Sequence, residues 1–181
     1  SMHPKIEYMF LPVHLSSNQT IKKTQNTIRI CHSPTNRYYK GSEKIIKIGK
    51  RIEAENKNVK FILIEKMSNK EVLQLKNTCD IIIDQIGNYG GWGYGMNSVE
   101  SMALGLCCMT EMNQECDVFF KDHPFLNINE QNLEQKLIEL ISNPNKIDEH
   151  KNKSLSWVRE KHDVNQVGSF LYKQYGQLLN E

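Results

Sequence analysis

The sequence predicts an α/β fold: one parallel sheet with helices on both faces and a helical C-terminus. Three observations carry this. Short β-branched runs alternate with amphipathic runs between residues 26 and 111. The third strand-like run, DIIID (80–84), is apolar without alternation, as a strand covered on both faces requires. Beyond residue 130 the chain reads as helix alone.

The first strand is NTIRICH (26–32), short, β-branched and stopped by a Ser-Pro turn. GSEKIIKIGKRIEAEN (41–56) places Ile45, Ile46, Ile48 and Ile52 on one stripe, so it is an amphipathic helix, with Ser42 helping to cap its start. VKFILIE (59–65) is the second strand. NKEVLQLKNT (69–78) is a short helix with Asn69 as its N-cap, and DIIID is the third strand. A helix follows from about Met96 to Leu104, with Gly105 in the position that lets a helix end in a left-handed turn. LCCMTE (106–111) is the fourth strand and PFLNI (124–128) a fifth. Helices over 130–143, 144–161 and 163–179 are separated at Pro144 and Asp163. Residues 1–25 are irregular, punctuated by Leu11-Pro12, and Ser1 ahead of Met2 reads as a tag remnant. Residues 26–181 make one domain.

Composition excludes several classes. Net charge is +2, too small to recommend nucleic acid or an acidic membrane as partner. No apolar run reaches the roughly 18 residues of a membrane span. The five cysteines are odd in number, and their spacing matches no zinc or redox motif. Cys31, Cys79, Cys107 and Cys108 lie in or beside apolar runs. They read as buried thiols of a reducing compartment, which points to the cytoplasm.

The alternating order implies right-handed crossovers and a Rossmann-like sheet. Ligands of such sheets bind at the carboxyl ends of the strands. Those ends are His32–Lys40, Glu65–Asn69, Asp84–Gly95 and Thr110–Met112, which should meet in one cleft. Between the third strand and the next helix stand Gly87, Gly90, Gly91, Gly93 and Gly95. A helix N-terminus offers unpaired amides to an anion, and glycines let the anion approach. Gly95, Met96 and Asn97 are therefore candidate phosphate-binding positions, with Asn97 and Ser98 as side-chain donors. Arg37 and Lys40 lie in the first strand-to-helix loop and can grip phosphate. Taken alone, that segment fits a solvated loop with two cations equally well. Glu100, in the first turns of the helix, suits either a dipole-complementing surface position or a ribose diol. Asp80 and Asp84 do not form an Asp-x-Asp metal pair. No metal site is expected, and Ser33 and Ser98 lack a base for nucleophilic work.

Three stretches in this order, HSPTNRYYKGSEKIIKI, KFILIEKMSNKEVLQLKNTCDIIIDQI and YGMNSVESMALGLCCMT, resemble the C-terminal domain of GT-B fold glycosyltransferases of the group 1 (GT4-like) family. The resemblance covers about residues 26–179. It implies a nucleoside-diphosphate sugar as donor substrate, with no cofactor. Lys40 and Arg37 would face the diphosphate, the amides from Gly95 to Asn97 would cap it, Glu100 would hold the ribose, and Lys66 and Met67 would lie near the base. No catalytic residue is assignable. SPTNR stands where the family has a Gly-Arg pair, and Trp92 stands eight residues before Glu100, where the family often has a glutamate facing the sugar. The resemblance also implies an N-terminal acceptor domain, in cis or as a second chain, to which residues 1–25 would connect. Any peripheral membrane association would come through that domain. The implied activity is sugar transfer to an acceptor such as a bacterial surface glycan, with this half inactive in transfer alone. A non-catalytic nucleotide-binding module and a GT-B-fold sugar epimerase remain open alternatives.

Overall fold

The computed structural model describes residues 8–15, 24–87, 89 and 93–178. Five parallel strands, β1 (Ile28–His32), β2 (Val59–Leu63), β3 (Ile81–Ile83), β4 (Cys107–Thr110) and β5 (Leu126–Asn127), form one sheet in the order β2-β1-β3-β4-β5. The helices are α1 (Ser42–Glu55), α2 (Asn69–Lys76), α3 (Met96–Ala103), α4 (Gln114–Phe119), α5 (Leu133–Ile141), α6 (Pro144–Lys161) and α7 (Val164–Leu178). This is the expected Rossmann-like sheet with a helical C-terminus. The short helix α4 was not legible, because its six residues, QECDVF, carry no apolar stripe.

Strand periodicity divides the core between the two faces. Ile81 and Ile83 of β3 pack with Ile45, Ile48 and Ile52 of α1 and Leu137 of α5. Ile82, between them, faces the opposite way, toward Val99 and Met102 of α3 and Val158 of α6. All three isoleucines are fully buried, which is why the run shows no polar alternation. Gly49 lets α1 sit tight on β2, since a Cβ there would come within 2.3 Å of the Phe61 ring.

Two capping expectations are corrected. Ser42 does not cap α1: Gly41, at φ 62°, holds the N-cap position without a side-chain bond. The Ser42 hydroxyl is taken by His32 instead, at 2.8 Å. For α2 the cap is Ser68 rather than Asn69. Its hydroxyl accepts from the Glu71 amide while Glu71 reaches back to the Ser68 amide, a reciprocal box. The end of α3 is as expected: Gly105 has φ 79°, and the Leu106 and Gly105 amides donate to the Ser101 and Met102 carbonyls.

The segment ahead of the sheet is tied to the closing helices. Val13 bridges to Asp163 in parallel fashion, and His162 Nδ1 donates to the Leu11 carbonyl at 2.7 Å. Phe10 packs edge-on against Trp157. Burial drives the His162 pKa down to about 4, so the ring is neutral and keeps its proton for Leu11. All five cysteines are buried and unpaired. No helix among the described residues is long and apolar enough to cross a membrane.

Candidate functional site

The carboxyl ends of β1 and β3 bring Lys40, Asp84 and Gln85 together. Asp84 is the residue after β3 and is fully buried. Its Oδ1 accepts from Lys40 Nζ at 2.7 Å and from Asn97 Nδ2 at 2.6 Å, and its Oδ2 accepts from the Ser98 hydroxyl. Burial pushes the Asp84 carboxyl up. The Lys40 charge and the bonds from Lys40, Ser98 and Asn97 outweigh it and hold the group below the usual range. Lys40 also donates to Gln85 Oε1 at 3.0 Å.

The network continues under the start of α3. Asn97 Oδ1 accepts from Lys76 Nζ at 2.6 Å, so the amide orientation of Asn97 is fixed from both sides. Lys76 is 1% exposed, and its ammonium stands 3.8 Å from Glu100. Burial lowers its pKa, and the Glu100 charge works the other way. One continuous chain thus runs Lys40–Asp84–Asn97–Lys76–Glu100. Glu100 keeps about a quarter of its side chain exposed on the outer side of α3.

The helix start is held firmly. The Gly93 carbonyl accepts from Thr110 Oγ1 at 3.0 Å and from Gln85 Nε2 at 3.2 Å. Gly93 has φ 132°, and a Cβ there would strike Cys116 Sγ at 2.5 Å. Tyr94 stacks within Phe120, Phe125 and Trp157. Gly95, the N-cap, is extended, and open space lies where its Cβ would be. The amides of Met96 and Asn97 open the helix, where no intrahelical acceptor exists for them.

Arg37 is placed differently from a waiting phosphate ligand. Its guanidinium forms a fork on Glu65, Nε to Oε1 at 2.7 Å and Nη2 to Oε2 at 2.6 Å, with Glu43 at 3.3 Å. Lys66 follows Glu65 and takes a left-handed backbone at φ 57°, which turns the chain out of β2. Lys66 and Met67 are both exposed at this rim. Lys40, Gly95, Met96, Asn97 and Glu100 therefore gather around α3, whereas Arg37, Lys66 and Met67 form a neighbouring lip on the β2 side. Gly90, Gly91 and Trp92 lie outside the described residues.

Sequence reading missed Lys76 and the role of Asp84. A lysine at the last position of a helix reads as dipole-complementing and solvated, and only the approach of α3 buries it. Among the described residues no three His, Cys, Asp or Glu side chains gather as a metal would require. Larger clefts, about 570 Å³ beside Phe10 and Trp157 and about 400 Å³ beside Arg29 and Thr78, lie away from this network.

The fold is that of the C-terminal half of a GT-B glycosyltransferase. The chain superposes on a chain of the GtfA/B complex with TM-score 0.70 at 11% identity, over 94% of this chain and 40% of that one. It matches the C-terminal domain of a group 1 family glycosyl transferase, LpcC, from Francisella tularensis with TM-score 0.59 at 14% identity, over 83% and 96%. S. aureus TarM, solved with UDP, matches with TM-score 0.65 at 14% identity, over 97% and 40%. The architecture is not confined to transferases: a UDP-GlcNAc 2-epimerase from Neisseria meningitidis shares it at TM-score 0.50. The chain spans about two fifths of the length of the GtfA/B and TarM chains it matches. No family model and no curated protein sequence matches the chain.

Proposed function

We propose that this chain is the donor-binding half of a glycosyltransferase that moves a sugar from a nucleoside diphosphate to an acceptor. One observation carries the reading: the Lys40–Asp84–Asn97–Lys76–Glu100 network lies at the carboxyl ends of the strands, beneath the N-terminus of α3. That is where this class of sheet receives a ligand. The α3 amides and Lys40 face the diphosphate, and Glu100 offers a carboxylate to the ribose diol. The base lies toward Lys66 and Met67. Positive charge from lysine and helix dipole does the work that a metal performs elsewhere. Arg37 joins the phosphates only by exchanging Glu65 for them.

The acceptor wall comes from a second domain, in cis or as a second chain. The short span of this chain against its two-domain matches supports this. The acceptor class we favour is a bacterial surface glycan, and the compartment the cytoplasm, in keeping with five unpaired thiols. Isothermal calorimetry against a panel of nucleosides, nucleoside diphosphates and their sugars tests the reading. Diphosphates should bind and nucleosides hardly at all. Equal binding of both, or of neither, would overturn it. The chain alone should not transfer sugar, because positioning by the second wall supplies much of the rate.

The prepaired cations favour a second reading, a holder of nucleotide without transfer. Lys40 is neutralised by Asp84 and Arg37 by Glu65. Transfer on adding the separate acceptor domain decides between the two. No observation specifically favours an epimerase.

A further inference from the structure

The rim that carries Lys40 also carries three solvent-facing tyrosines. Tyr38 is 70% exposed, Tyr39 59% and Tyr89 41%. Two of them come from the β1–α1 loop and one from the loop after β3, yet they meet. The Tyr38 ring lies 5.1 Å from Tyr89 and 5.5 Å from Tyr39, centroid to centroid. The β1–α1 pair is held by a built turn: Asn36 Oδ1 accepts from both the Tyr38 and the Tyr39 amides, at 3.0 and 3.3 Å. Gly41 then presses against Ile86, where a Cβ would come within 2.4 Å of the carbonyl oxygen, so the two loops are in close contact. Exposed aromatic faces clustered in this way mark a binding surface.

Beside the rings is a cleft of about 180 Å³, lined by Arg37, Tyr38, Glu43, Lys44, Tyr89 and Glu130 among others. That volume takes about one six-membered sugar ring and is small for a packed protein side. Its lining carries no surplus of positive charge: Arg37 is shared between Glu65, which it forks, and Glu43 at 3.3 Å, and Lys44 pairs with Glu130 at 3.0 Å. A surface without net positive charge gives a phosphate or an acidic chain no electrostatic gain. Its carboxylates do accept hydrogen bonds from hydroxyls, and its guanidinium and ammonium donate to them. Tyrosine supplies the remaining need, a flat apolar face with a polar tip that suits the C–H face of a pyranose. The Tyr89 hydroxyl is itself 3.5 Å from Glu130, and both residues line this cleft.

We propose that Tyr38, Tyr39 and Tyr89, with Glu43 and Glu130, form a subsite for a neutral pyranose ring of a glycan chain. Binding there does not depend on the nucleotide reading. Only the subsite's role, holding sugar next to a donor, rests on it. Tyr38 stands two residues from Lys40 on one loop, so an occupying sugar lies along the rim from the candidate diphosphate position.

The test uses the chain without nucleotide. Saturation-transfer NMR with maltotriose and with chitotriose should show transfer to ring protons for at least one of them. Tyr38→Ala and Tyr89→Ala should each weaken that binding about tenfold, while Tyr38→Phe retains it, because stacking needs the ring and not the hydroxyl. Circular-dichroism melting should be unchanged in all three, since the residues are exposed. The proposal fails if neither trisaccharide binds, if binding persists in the alanine variants, or if only a single-stranded oligonucleotide or an acidic oligosaccharide shows transfer. Sugar binding with no diphosphate binding would sink the donor reading and leave this subsite standing.

Discussion

Two buried lysine–aspartate pairs flank β3, one at each end. At the amino end Asp80 accepts from Lys151 Nζ at 3.0 Å and from the Arg29 amide at 2.9 Å. At the carboxyl end Asp84 accepts from Lys40, Asn97 and Ser98. The chemistry is alike and the surroundings are not. Lys151 is 3% exposed and belongs to α6, so the amino-end pair ties a closing helix to the sheet, with Asp148 and Thr24 completing the contact. Lys40 keeps 16% of its side chain exposed and belongs to a loop. Its pair continues through Asn97 to a buried lysine and a rim glutamate beside the open amides of α3. One ion pair fastens elements together; the other keeps a charged network in place at the end where ligands enter.

The largest effect should come from the fastening pair. Lys151→Met leaves Asp80 buried without its cation, and such a loss costs about 3–5 kcal/mol. Urea denaturation should show it, with diphosphate affinity per folded molecule unchanged. A fall in affinity as well would erase the distinction between the two ends.

Acid should act next and in a defined order. The folded-state pKa of His162 is lowered to about 4, and that of His32 is lowered in the same direction, by burial in each case. Below about pH 6.5 the unfolded chain takes up protons that the folded chain refuses. Stability therefore falls as pH drops from about 6.5 toward 4, by on the order of 3 kcal/mol from His162. Asp84 is depressed, so its contribution persists through this window and is lost only below the usual carboxylate range. His162→Gln should flatten the upper part of the stability-versus-pH curve. A curve that starts to fall only below pH 4 would contradict the neutral histidines.

At the ligand end, Lys40→Ala should weaken diphosphate binding about tenfold or more and leave nucleoside binding nearly unaltered, by calorimetry. Glu100→Gln should have a smaller effect, a few-fold loss of preference for ribo- over deoxyribonucleotides. Lys76→Met should reduce the same preference, because it frees both Asn97 and Glu100. If wild type binds 2′- and 3′-deoxy forms as well as the ribo form, Glu100 is only a surface carboxylate.

The difference between the two ends was half legible in the sequence. The sheet, the alternation and the Gly105 stop of α3 follow from local pattern and backbone sterics. Lys40 was marked by its place after a strand. The cap of α2 was also visible as Ser68 with Glu71 three residues on, and Asn69 was the wrong choice because both residue types cap well. Lys76 and Asp84 were not legible as partners. They lie eight residues apart on different elements, and the contact requires α3 to arrive between them. Arg37 was visible as a cation, but its fork on Glu65 joins two loops 28 residues apart.

The five thiols give the molecule a built-in record of its own opening. Cys31, Cys107 and Cys108 lie in the sheet with no exposed surface, and burial pushes the Cys107 thiol up to about 12. Cys116 of α4 is packed with its sulfur against Gly93. An alkylating reagent added to the native protein therefore meets two kinds of gate. Cys116 is modified each time α4 parts from Gly93, and the sheet cysteines only when the strands separate. Mass spectrometry of the labelled peptides over time would read the two rates from a single sample, and a ligand bound at the start of α3 should slow the first while leaving the second to follow its effect on global stability.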